Sequence, residues 1–157
     1  MDTYAFLNAL TTARSELDTA LAQVSDAHIA LPGVSGEWSV KDLLAHIVWF
    51  EQEMLGVVEQ RALVGSDWWS LPPHKRNAQI WERNRHRALS EIRAEAQHVY
   101  QRFLQAVGTL DEAEWHDATR FRDMPTEWVP WQLLAENSFE HYRHHAADIR
   151  HWLEEQR

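Results

Sequence analysis

Apolar positions recur at helical intervals along four stretches of the chain, and no stretch shows the strict alternation of a half-buried strand. Between Thr3 and Val24, Leu7, Leu10, Leu17, Leu21 and Val24 fall three, seven, four and three residues apart, which places them on one face of a helix. Ser25 to Trp38 carries Pro32, Gly33 and Gly36 and reads as a loop. Ser39 followed by Asp42 has the spacing of a capping box, so a second helix is expected to begin there. Its stripe of Leu43, Ile47, Phe50, Met54 and Val57 predicts a helix running to about Val64 and ended by Gly65.

A loop containing Trp68, Trp69, Pro72 and Pro73 follows, then a polar segment, His74 to Arg87, whose weak periodicity suits a short helix lying across the surface. From Ser90, the positions Ile92, Ala96, Val99, Phe103 and Val107 define a third helix, with Gly108 at its end. Asp111 to Trp115 suggests one turn, and Thr119 to Val129 an irregular crossing. Pro130 then suits the first turn of a fourth helix that carries Leu134, Ser138, His141, His145, Ile149 and Trp152 on one face. Four such helices predict an all-α fold, a four-helix bundle filling residues 1–157 as a single domain.

Composition narrows the chemistry more than the fold. The chain has no cysteine, so thiolate ligands, disulfides and a cysteine nucleophile are excluded and any metal must be held by histidine or carboxylate. A net charge of −9 repels phosphate backbones, and the basic residues form no stripe, so nucleic acid is not an expected partner. No apolar run approaches the roughly 20 residues of a membrane span, and the first residues, Met1-Asp2-Thr3-Tyr4, lack a basic and apolar leader pattern. The expectation is a cytoplasmic protein whose partner is a small molecule, with a homodimer left open.

Among ten histidines, three share an inward direction. His46 lies at the edge of the second helix's buried stripe, three residues after Leu43 and four before Phe50. His141 and His145, four apart, stack on one helix surface with Cβ atoms roughly 5–6 Å apart, whereas His144 and His151 turn toward solvent. Three neutral imidazoles from two helices suit a divalent metal ion with coordination positions left open, and so a metal-activated water. Zinc is the default for such ligands, and nickel and iron also accept imidazole. Glu53, seven residues after His46 on the same edge, is the candidate to orient a ligand histidine or act as general base. The alternative reading, inward histidines hydrogen-bonded in a core without a metal, stays open at this stage.

The stretch Gly36-Glu37-Trp38-Ser39-Val40-Lys41-Asp42-Leu43-Leu44-Ala45-His46, followed by Trp49 and Glu51, resembles the second-helix signature of the DinB-like superfamily. Asn77-Ala78-Gln79-Ile80-Trp81-Glu82-Arg83-Asn84-Arg85 and Glu140-His141-Tyr142-Arg143-His144-His145-Ala146-Ala147-Asp148-Ile149 extend the similarity toward its ClbS/DfsB branch. The resemblance implies a four-helix bundle of DinB-like topology and, in many members, a metal held at positions matching His46, His141 and His145. It also implies one of two activities: thiol-dependent transfer or isomerisation, or self-protection against an electrophilic, strained-ring toxin. Ala146-Ala147-Asp148 stand where many DinB proteins carry Arg-Gly-Gln after the last histidine.

Nine tryptophans supply large planar surfaces for a core or for the wall of an apolar cavity. Trp68 and Trp69, in a proline-flanked loop, are candidates for a pocket lid or a subunit contact. Tyr142, next to His141, is a candidate donor to a substrate oxygen. Three functions follow as expectations: a hydrolase or detoxifying protein acting on an electrophilic small molecule, a metal-dependent thiol transferase or isomerase, or a bundle that sequesters its ligand without turnover.

Overall fold

The computed structural model describes residues 1–156. Helix α1 spans Thr3–Ala22 and starts where the Asp2 side chain accepts from the Ala5 amide, a cap worth about 1 kcal/mol. Helix α2 spans Val40–Gln60, and the expected capping box is present: Ser39 accepts from the Asp42 amide while Asp42 accepts from the Ser39 amide. After α3, Pro73–Asn84, come α4, Leu89–Val107, and the pair α5, Pro130–Glu136, and α6, Phe139–Glu155. Helices α1, α2, α4 and α6 are the rods of the bundle, with α2 packed along α4 and α1 along α6.

Their apolar stripes meet in one core. Leu10, Leu17, Leu43, Leu55, Ile92, Phe103 and Ile149 are fully buried there, each contributing roughly 1.5–3 kcal/mol relative to an exposed position. A smaller cluster joins Trp49 and Phe50 of α2 to Ile80 of α3, with Trp68 and Trp69 packed against it. The polar α3 therefore lies on the flank of α2, anchored by the buried Ile80 and Asn84.

Three boundaries differ from the periodic reading. The expected loop from Ser25 to Trp38 contains a hairpin: β1, Pro32–Ser35, pairs antiparallel with β2, Trp38–Ser39. Gly36, at φ +58°, turns the chain between them. Helix α2 stops at Gln60 rather than near Val64, because Arg61 adopts the left-handed conformation and its amide closes back on the Val57 and Val58 carbonyls. The Arg61 guanidinium then binds the Val58 and Thr109 carbonyls and Glu114, which holds that residue in place. Finally, the fourth helical segment is broken at Asn137 and Ser138. The fully buried Ser138 donates through Oγ to the Leu134 carbonyl, while its own carbonyl accepts from the Tyr142 amide. No described helix is long and apolar enough to cross a membrane.

Candidate metal centre

Where α2 crosses α6, the Nε2 atoms of His46, His141 and His145 converge. His141 Nε2 lies 3.0 Å from His46 Nε2 and 2.8 Å from His145 Nε2, and the three candidate ligand atoms all lie within 4.8 Å of one another. His46 and His145 are buried and His141 is half-buried. The four-residue spacing stacks His141 over His145, with ring centroids 4.5 Å apart, and His46 reaches them from the second rod. Its ring packs edge-on against Trp38 and is tilted 54° against Phe50. His144 and His151 point to solvent, their side chains 72% and 74% exposed.

This geometry suits a cation better than a set of mutual hydrogen bonds. A neutral imidazole nitrogen carries either one proton or one lone pair, so His141 Nε2 cannot make well-formed bonds to both neighbours at once. The tautomer of His145 is assigned by its other nitrogen: Nδ1 lies 2.9 Å from Asp148 Oδ2, and a carboxylate can only accept. With the proton on Nδ1, the Nε2 lone pair faces the cluster, the arrangement that orients a metal-ligating histidine. Nδ1 of His46 and Nδ1 of His141 are buried without a protein partner.

Burial also keeps the rings uncharged. Loss of water pushes the pKa of His46 down to about 3, assisted by the neighbouring His145 and Arg76. The same cause, with His145 and His46 beside it, pushes His141 down to about 2. Burial lowers His145 as well, against the opposing pull of Asp148. Three neutral imidazoles without thiolate fit zinc, nickel or iron better than the oxygen-seeking calcium or magnesium. The cluster opens to a pocket of about 310 Å³ lined by Trp38, His46, His74, Asn77 and His145, among others.

Two expected participants lie elsewhere. Glu53 makes no hydrogen bond to a histidine. Its Oε2 accepts from the Ser66 amide and from the Trp69 indole, both at 2.7 Å, so it anchors the tryptophan turn instead of serving the cluster. Seven residues along a helix return to the same edge, but the partner offered by the 65–69 turn is nearer than the histidines. Tyr142 is fully buried and faces α1 and α2, where its hydroxyl donates to Glu51. One residue's rotation of about 100° from His141 suffices to turn it away from the pocket. It is therefore in no position to donate to a ligand there.

Trp68 and Trp69, the expected lid or subunit contact, pack against Trp49 and Phe50, and neither lines the histidine pocket. Several residues escaped the sequence reading. Asp148 was visible as an i+3 partner of His145, whereas Arg76 and Asn77 carried no periodic signal. Glu51 is completely buried, and burial pushes its carboxyl up to about 7, with Tyr142 and Arg14 restraining that rise.

A family model described as the DinB superfamily matches residues 9–149. No curated protein matches the chain. Among solved structures, an uncharacterised protein from Escherichia coli UTI89 superposes with a TM-score of 0.77 at 16% identity, covering 99% of this chain and 94% of the other. The protein titled Sibling Lethal Factor Precursor, DfsB, gives 0.79 at 15% identity, with 100% and 98% covered. A Streptococcus pneumoniae protein gives 0.79 at 14%, with 98% and 91% covered. At these identities the likeness is one of fold.

Proposed function

The chain belongs to the DinB superfamily, and from that premise we propose that it binds one divalent cation, zinc by default, through His46, His141 and His145 and hydrolyses an electrophilic small molecule. The observation that carries this reading is the convergence of three Nε2 atoms, one of them held in the ligating tautomer by Asp148. Such an ion supplies Lewis acidity, lowering the pKa of water or polarising a carbonyl.

The chain's own side chains supply the rest. Desolvation keeps His46 and His141 neutral and ready to ligate at physiological pH. Trp38 and Phe50 flank the imidazoles and limit the approach of bulk water. His74 lines the same pocket, and in this reading it accepts the proton released as water adds to the electrophilic carbon. The strained bond at that carbon breaks as water adds, its electron pair staying on the departing ring atom, which takes a proton from solvent. Hydrolysis is the chemistry drawn from the sequence resemblance to the ClbS/DfsB branch, and a thiol transfer on the same ligands is the competing chemistry within the superfamily. A non-catalytic reading has its own support. A second, apolar cavity of about 300 Å³ is lined by Met54, Val57, Leu63, Trp69, Trp128 and Leu133, among others, and would suit capture of a hydrophobic ligand.

Elemental analysis of purified protein and of His141→Ala tests the ion. One equivalent of metal in the parent and its loss from the variant are expected; a metal-free parent that gains none from added zinc overturns the reading. Incubation with a strained-ring electrophile such as styrene oxide separates the chemistries. A diol formed without thiol supports hydrolysis, a thiol adduct supports transfer, and stoichiometric binding without product supports capture.

A further inference from the structure

Two cavities meet at one tryptophan near the end of α2. The apolar cavity of about 300 Å³ lies against Met54 and Val57 of α2 and is closed by Leu63, Val64 and Trp69. A second, of about 250 Å³, is lined by Glu127, Val129, Gln132 and Glu136, and the two share Trp128 and Leu133. Together they reach the size of small-molecule sites, roughly 300–1,000 Å³. Met54 is two helical turns past His46, roughly 12 Å along α2, and no residue lining either cavity lines the histidine pocket.

The backbone builds this place. The Leu63 amide donates to the Arg122 carbonyl at 2.7 Å and the Arg122 amide to the Arg61 carbonyl at 2.9 Å, which ties the segment after α2 to the crossing that carries Trp128. The Trp128 amide closes a turn on the Pro125 carbonyl, and its side chain joins neither core cluster. Trp128 is 42% exposed, so a ligand can reach the indole. The charges are one-sided: among the described residues lining the two cavities, Glu127 and Glu136 are the only ionisable ones. Three other cavities all carry basic groups: His46, His74 and His145 in one, Arg83 and Arg87 in another, Arg14 and Arg93 in the third. Glu53, behind Gly65, is already held by the Ser66 amide and the Trp69 indole.

We infer that this joined cavity binds an organic ammonium ion with an apolar body. The body enters the chamber against Met54, Val57 and Leu133, and the ammonium group rests on Trp128 beside Glu127 and Glu136. An indole face is the strongest aromatic partner for a cation, and the two carboxylates add an attraction that a neutral or anionic analogue does not receive. The net charge of −9 draws cations to the surface and turns anions away. The inference gives the apolar cavity a ligand class and does not depend on the metal.

Phenylbutylamine, phenylbutanol and phenylbutyrate share one apolar body and differ in charge. Their affinities are measured by calorimetry and tryptophan fluorescence on the full chain as purified. The amine is expected to bind about tenfold more tightly than the alcohol, and the carboxylate not to saturate. The double variant Glu127→Gln, Glu136→Gln should bring amine and alcohol to equal affinity. A control with the same change in net charge, Glu16→Gln with Glu37→Gln, should keep the preference, which separates a site from general attraction to an acidic protein. Trp128→Leu, which keeps an apolar wall without the indole face, should weaken the amine by about threefold more than the alcohol. No saturable amine binding, equal affinity for amine and alcohol, or a preference that survives in the folded Glu127 and Glu136 variant overturns the inference. A preference lost equally in the control does so too. His141→Ala should bind the amine as the parent does, whatever its metal content. Loss of amine binding in that folded variant would move the amine to the histidine cluster and overturn the inference, so its failure and that of the metal reading are told apart.

Discussion

Nδ1 of His145 donates to the carboxylate of Asp148, 2.9 Å away and one helical turn further along α6. This contact directs a lone pair toward His46 and His141 without help from any other element. Outer carboxylates of this kind typically contribute 10–100-fold to metal affinity. Asp148→Asn is expected to weaken zinc binding by about that factor while leaving the helical circular dichroism unchanged. Competition with a chromophoric chelator measures it, and affinity equal to the parent's would deny Asp148 its orienting role.

Glu51 should impose a pH dependence on stability. Burial raises its folded pKa to about 7 from its ordinary 4.5, so the folded chain holds this proton more tightly than the unfolded one. Its contribution is full below about 4.5 and is lost as pH rises through about 7, a change on the order of 3 kcal/mol. In denaturant titrations Glu51→Gln should gain on the parent as pH climbs from 5 to 8. A constant difference across that range would show that the carboxyl titrates normally.

Tyr142→Phe removes the donor that the buried Glu51 carboxylate uses. The expected cost is roughly 1–3 kcal/mol, larger at pH 8 than at pH 5, because the hydroxyl favours the charged form. Metal content should not change, since the hydroxyl faces away from the cluster. Loss of metal in a folded Tyr142→Phe protein would contradict that placement.

A methyl group at Gly65 would lie 2.4 Å from Glu53 Oε2 and 2.9 Å from the Trp69 ring. Gly65→Ala must therefore displace the carboxylate or the indole it holds, at a cost of about 1–3 kcal/mol. The measurable consequences are a lower unfolding temperature and a shifted tryptophan emission. Neither would change if the 65–69 turn were held otherwise.

The four rods were legible because each buries a stripe with one period, and Ser39 with Asp42 announced the start of α2. Its end was not: the apolar pattern runs on through Leu63 and Val64, and only the backbone conformation of Arg61 stops the helix. Gly65 does not end the helix as expected but leaves room for Glu53 and Trp69. His46, His141 and His145 could be grouped from direction alone, since two share a helix face and the third lies at an inward edge. Glu53 and Tyr142 misled for a common reason. Helical phase gives a direction, but the partner a side chain takes depends on elements that are remote in sequence, here the 65–69 turn and α1. Arg76 was hidden in the same way, its place set by rings contributed from α2 and the tryptophan turn.

The interruption at Asn137 and Ser138 uncouples the angular phase of α6 from everything upstream. Because Ser138 starts a fresh hydrogen-bond ladder at Tyr142, residues inserted or deleted in the 116–129 crossing would rotate α5 without rotating His141 and His145. The crossing can therefore vary in length and contour, and reshape what lies over the bundle's end, while the imidazoles keep their aim.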